Sequence, residues 1–152
     1  MGIEFSLRRF KFTLESVLVV RNKALEDERI KLASILRVYN NQKEALNKLF
    51  SEVETIKSEI NKSFENNDFN PQIISNYNSY LYKLSQDIEA QKEVLSKIEQ
   101  DIEKQQEVLK DAYIKVKSLE VLKDKQKEQY LKEQQYEEIK ELDDIVNSRT
   151  IA

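Results

Sequence analysis

Apolar residues recur every seven positions along most of this chain, and the repeat is interrupted once. Stepping by seven from Leu18 reaches Leu25, Leu32, Tyr39, Leu46, Val53 and Ile60. The companion positions, four residues earlier, are Leu14, Arg21, Glu28, Ile35, Gln42, Leu49 and Ile56. A second run reads Ile74, Leu81, Ile88, Leu95, Ile102, Leu109 and Val116, with Tyr77, Leu84, Gln91, Ile98, Gln105, Ala112 and Leu119 beside it. Such a stripe is a seam for packing one helix along another. The interruption, Asn66-Asn67-Asp68-Phe69-Asn70-Pro71, is rich in helix-capping types, and Asn70 before Pro71 suits an N-cap and first helical position.

Turns draw on Gly and Pro, and this chain has one of each, at positions 2 and 71. It therefore offers one punctuated turn. The expected fold is all-α: two long helices forming an antiparallel coiled-coil hairpin, a single coiled-coil domain over 1–152. Helix one is predicted over about 13–63, the turn over 64–70 and helix two over 71–146. Thr13 can cap the first helix, Glu15 suits its positive end, and Phe12 can staple against Val17.

A turn centred near Asp68 puts Ile60 opposite Tyr77 and Leu18 opposite Leu119. Past Leu119 the seam positions become Lys123, Gln126, Tyr130 and Glu133. Helix two is therefore expected to overhang at the C-terminus by roughly 25 residues, about 36 Å of helix. That segment, 123–146, reads as alternating Lys and Glu without an apolar stripe, to be ordered by a partner or frayed without one.

Catalysis is poorly served. There is no His and no Cys, so proton transfer near neutrality would fall to carboxylates or lysines shifted by burial, and two helices enclose no pocket. Asp143 and Asp144, as neighbours on a helix, point about 100° apart and read as a solvated end. With no internal glycine there is no phosphate loop. The chain is expected to be no enzyme, with no metal and no cofactor.

Net charge is −3, with acids and bases interleaved and one basic cluster at Arg8, Arg9 and Lys11. Nucleic-acid binding needs a sustained positive face, so none is expected. The apolar run at 17–20 is too short for a membrane span, and nothing resembles a signal peptide. Residues 1–6 fit the myristoylation pattern only formally. The expectation is a cytoplasmic protein without direct membrane insertion.

Three features invite function. Arg21, Glu28, Gln42, Gln91 and Gln105 are polar where the seam calls for apolar residues, which either fixes register or, for Arg21 and Glu28, faces a partner. Tyr77, Tyr80 and Tyr82 cluster about Leu81 and Leu84, where tyrosine serves equally as packing or as a binding surface. The chain ends bring Phe10, Phe12 and Leu14 towards the 117–149 stretch as a docking end.

These end residues carry a family resemblance. Phe10-x-Phe12-x-Leu14-x-x-Val17-Leu18-x-x-Arg21, with Glu26 and Glu28 following, resembles the amino-terminal signature of the FliJ family of flagellar export proteins. Lys117, Leu119, Glu120, Leu122 and Lys123, then Glu137, Lys140, Glu141, Leu142, Asp143, Asp144 and Arg149, resemble its carboxy-terminal helix. The resemblance implies a non-enzymatic stalk of the flagellar type III export apparatus. Such a stalk engages a hexameric export ATPase and promotes its assembly, contacts the cytoplasmic linker of the large export-gate membrane protein, and helps recycle export chaperones. It implies an ATPase-binding set of Phe10, Phe12, Leu14, Arg21, Glu28, Leu122, Lys123, Glu137, Asp143 and Asp144. It places gate binding at Tyr80 and Leu84, with Asp87 and Gln91 departing from the family pattern. It implies peripheral association with the inner membrane at the flagellar base. The alternatives are the equivalent stalk of an injectisome and a structural tethering coiled coil.

Overall fold

The computed structural model describes residues 9–151. It contains two helices, α1 at Glu15–Glu65 and α2 at Pro71–Ile151, and no strand among the described residues. The fold is all-α and antiparallel, with α2 the longer helix at 81 residues against 51. The chain divides into two compact units, Glu28–Val108 and the combination of Met1–Asp27 with Leu109–Ala152.

The unit Glu28–Val108 is a hairpin whose turn is built by backbone chemistry. The Asp68 amide reaches back to the Ser63 carbonyl at 3.1 Å, and the Asn67 amide to that of Phe64 at 3.4 Å. Those two bonds form a Schellman closure of α1. Asn67 carries the left-handed conformation it requires, at φ 52°. Asparagine tolerates that region better than other side-chain-bearing residues, so no glycine is needed. Three residues on, the Asn70 carboxamide accepts from the Gln72 amide at 3.0 Å, capping α2 as its sequence suggests. The Phe64 and Phe69 rings pack across the bend with centroids 5.3 Å apart.

Along the arms of this hairpin, every heptad position from Glu28 to Ile60 and from Ile74 to Gln105 is buried or half-buried. Leu84, Ile88 and Leu95 are buried, Leu84 most deeply at 2% exposure. Two polar layers lie within this seam. The Gln91 Nε2 donates to the Gln42 backbone carbonyl at 2.9 Å and to its Oε1 at 2.7 Å. The Gln105 Nε2 donates in the same way to the Glu28 carbonyl, at 3.1 Å, and to the Glu28 carboxylate. Each amide nitrogen has two hydrogens, and each layer uses both. No buried side-chain nitrogen or oxygen among the described residues lacks a partner.

These layers correct the expected pairing. Gln42 lies against Gln91, where a turn centred on Asp68 would set it against Leu95, one helical turn further along. The reason is twofold. The Schellman residue Asn67 places the bend earlier, and the expected register would face amides with leucines, leaving buried donors unpaired.

Replacing Gln42 and Gln91 together by Leu should raise the melting temperature, since apolar pairs match or exceed buried polar ones. It should also let the arms occupy more than one register, seen as doubled amide resonances. Gln42→Leu alone leaves one of the two Gln91 amide hydrogens unpaired and should cost about 1 kcal/mol in urea unfolding. A single resonance set in the double variant would show that register is fixed elsewhere.

Candidate functional site

The second unit joins the amino-terminal segment and the start of α1 to the carboxy-terminal half of α2. Residues 9–14 precede the first helix. A turn closes there through the Glu15 amide and the Phe12 carbonyl at 3.1 Å, so helix entry is set by backbone rather than by the Thr13 hydroxyl. That turn swings Phe12 inward. Its ring, 6% exposed, clusters with Leu18, Leu25 and Val116, and Phe10, Leu109, Ala112 and Leu119 pack around them. Phe12 is a core residue, while Val17, its expected staple partner, is 39% exposed.

Phe10 extends this coverage along α2, its ring centroid 5.7 Å from that of Tyr130 at an interplanar angle of 50°. The Lys123 ammonium meets the Glu15 carboxylate at 2.9 Å. This ion pair is half-exposed, so it adds at most about 1 kcal/mol. The expectation of an unpartnered helix from Lys123 onward is therefore corrected. The amino-terminal segment and the first turn of α1 reach Lys123 and Tyr130, and the bare part of α2 starts after Tyr130.

From 131 to 149 every described side chain is exposed except the half-buried Gln134. This stretch is not without an apolar stripe, contrary to expectation. Leu131, Ile139, Leu142, Ile145 and Val146 are all at least half exposed and fall on one face at helical spacing. The stripe escapes a seam count because it is rotated away from the line through Lys123, Tyr130 and Glu137. Its signal in the sequence is Ile139-x-x-Leu142-x-x-Ile145-Val146. Around it, 133–144 carries six acids against one lysine, Lys140.

The predicted site residues separate accordingly. Phe10, Phe12, Leu14, Arg21, Leu122, Lys123, Glu137, Asp143 and Asp144 all belong to this unit. Leu14 and Leu122 sit at the edge of exposure, each at 36%. Arg21 is exposed despite its seam position, as are Glu137, Asp143 and Asp144. Among the described residues no three acidic side chains converge as a metal-holding group.

Glu28, Tyr80 and Leu84 lie in the hairpin unit Glu28–Val108. Hydrogen bonding from Gln105 holds the Glu28 carboxyl below the usual carboxylate range, with Lys31 at 3.4 Å assisting. Tyr80 is 40% exposed, and its hydroxyl donates to Glu52 at 3.0 Å, which raises its pKa. Leu84 is packed between the helices and, so placed, offers a partner no surface. Gln91, a departure from the family pattern, is explained by its layer with Gln42. Arg8 and residues 1–6 lie outside the described residues.

Taken together, the chain is an all-α protein of two antiparallel helices, with no catalytic constellation among the described residues. The model of the flagellar FliJ protein family matches it over residues 10–152. The chain belongs to that family of flagellar proteins. No curated protein and no solved structure matches it. Among the described residues no helix is long and apolar enough to cross a membrane.

Two measurements separate fold from surface here. Phe12→Ala should destabilise by about 3–5 kcal/mol, as emptied core sites do, whereas Arg21→Ala should stay within about 0.5 kcal/mol. Similar urea midpoints for the two variants would remove Phe12 from the core. For Glu28 the folded pKa lies below the unfolded one. Its stabilisation is therefore present above the unfolded pKa and lost as pH falls through the folded value. Glu28→Gln should flatten the acid limb of melting temperature against pH, and an unchanged limb would show that Glu28 is not linked to folding.

Proposed function

We propose that this chain is the stalk-like component of a flagellar type III export apparatus. In this reading the unit carrying both chain ends engages a hexameric export ATPase and promotes its assembly and activity. The same protein contacts the cytoplasmic linker of the large export-gate membrane protein, assists chaperone recycling, and works in the cytoplasm against the inner membrane at the flagellar base. The family assignment supports the setting. The observation that carries the ATPase contact is the exposed end of α2, 131–149, where an apolar stripe and an acidic cluster lie at the surface.

Roles follow from exposure. Arg21, Leu14, Leu122, Glu137, Asp143 and Asp144 offer surface to the ATPase. Phe10, Phe12 and Lys123 hold the amino-terminal segment in position beside them. Glu28 acts through the polar layer it shares with Gln105. On the gate side Tyr80 offers the contact surface, and Leu84 supports the helix beneath it. Adding a helix to a partner's groove through a few apolar anchors is a common recognition mode, and here it asks for no enzymatic group.

Removal of the residues after Tyr130 should leave melting of the remaining chain almost unchanged while abolishing stimulation of the export ATPase. In the complex, amides of 131–149 should exchange far more slowly than in the free protein, because exchange reports local opening. Equal protection with and without the ATPase would overturn this contact. Tyr80→Ala should keep full helicity and lose affinity for the gate linker, and unchanged affinity would reduce Tyr80 to its bond with Glu52.

A further inference from the structure

In a chain where 35% of residues are charged, none of the fourteen residues from Phe69 to Tyr82 carries a charge. They include three tyrosines, four asparagines or glutamines (Asn70, Gln72, Asn76 and Asn78) and two serines, an amide- and ring-rich composition typical of adaptable contact surfaces. The tertiary structure gathers this stretch at the turn end of the hairpin. There a shallow groove of about 560 Å³ is lined by Phe69, Pro71, Ile74, Asn78, Ser79 and Tyr82 among others. It borders the seam at Ile74, and Tyr80 is not part of its wall. Beside it stand large apolar side chains that the fold leaves half exposed: Phe64 at 54%, Phe69 at 53% and Ile73 at 46%. Phe64 leans on Phe69 yet is not part of the groove wall.

We infer that the turn end of the hairpin is a homotypic contact, in which Phe64 of each copy enters the groove between Phe69 and Tyr82 of the other. A two-fold contact must be self-complementary, the same patch serving both copies. This patch holds both the protruding ring and the recess. Charge selects the occupant. A uniformly signed patch would repel its own copy, as the acidic 133–144 stretch would, whereas an uncharged one brings two copies together without like-charge cost. The surrounding charges, Lys62, Glu65, Asp68 and Lys83, are of mixed sign. Contact of this kind depends on apolar burial and so resists salt.

Sedimentation equilibrium of the full chain tests it. The protein should show a monomer–dimer equilibrium that persists in high salt. Phe64→Ser removes the protruding ring and Ser79→Arg fills the recess. Each should weaken dimerisation by about tenfold or more, as loss of a central anchor does, with full helicity retained. Mixing the two variants should restore association, since one intact ring then meets one intact recess. A monomer at all concentrations overturns the inference. So does a dimer insensitive to both substitutions, or one abolished instead by Ile139→Asp, which would move the contact to the far end of α2. Failure of the mixture to associate overturns the ring-in-groove arrangement. None of these readings involves the ATPase or the gate.

Discussion

Two amide-centred layers inside an otherwise apolar seam fix how the hairpin arms meet. Leucine against leucine is nearly indifferent to a shift of one helical turn, because the heptad repeat presents the same stripe again. An amide is not indifferent: a buried donor left facing a methyl group costs what a missing hydrogen bond costs. Gln91 on Gln42 and Gln105 on Glu28 stand two heptads apart along each helix, so one pairing satisfies both together. That pairing determines which residues fall opposite every other seam position in the hairpin unit.

The turn agrees with this register rather than dictating it alone. A Schellman closure at Asn67 and a side-chain cap at Asn70 end one helix and begin the next within a few residues. Asparagine serves in both places for different reasons, once for tolerance of positive φ and once for a carboxamide oxygen that accepts an amide. Packing of Phe64 on Phe69 covers the bend without burying either ring fully. The result is a compact end rich in rings and amides and free of charge on the α2 side.

In the unit containing both termini the balance differs. A few large side chains, Phe12 with Leu18, Leu25 and Val116, provide the burial, and Phe10 extends it to Tyr130. Past that point α2 keeps its helical form with its apolar stripe uncovered. Isolated helices are marginal in water, and the proposed ATPase contact draws on this stripe and the acidic cluster beside it. The division is physical: buried rings hold the amino-terminal segment to α2, and the stripe and carboxylates lie at the surface.

Much of this was legible in the sequence. The heptad repeat determined two helices, since only a helix places every seventh and companion residue on one line. The shortage of Gly and Pro determined a single turn, and Asn70 with Pro71 located it. The absence of His, Cys and internal glycine removed the usual chemistry, and the end motifs pointed to the flagellar FliJ family. Only the tertiary structure decided the register, because a repeat with a seven-residue period fits itself at several offsets and donors must find acceptors in three dimensions. Only the tertiary structure placed Phe12 in a core with Leu18, Leu25 and Val116, since residues before a helix carry no periodicity to read. Leu84 is a seam position in the sequence and is enclosed as that implies. Only the tertiary structure showed that Tyr80, off the seam and 40% exposed, donates its hydroxyl to Glu52 of the facing helix, because such a bond depends on which residue the register brings within reach.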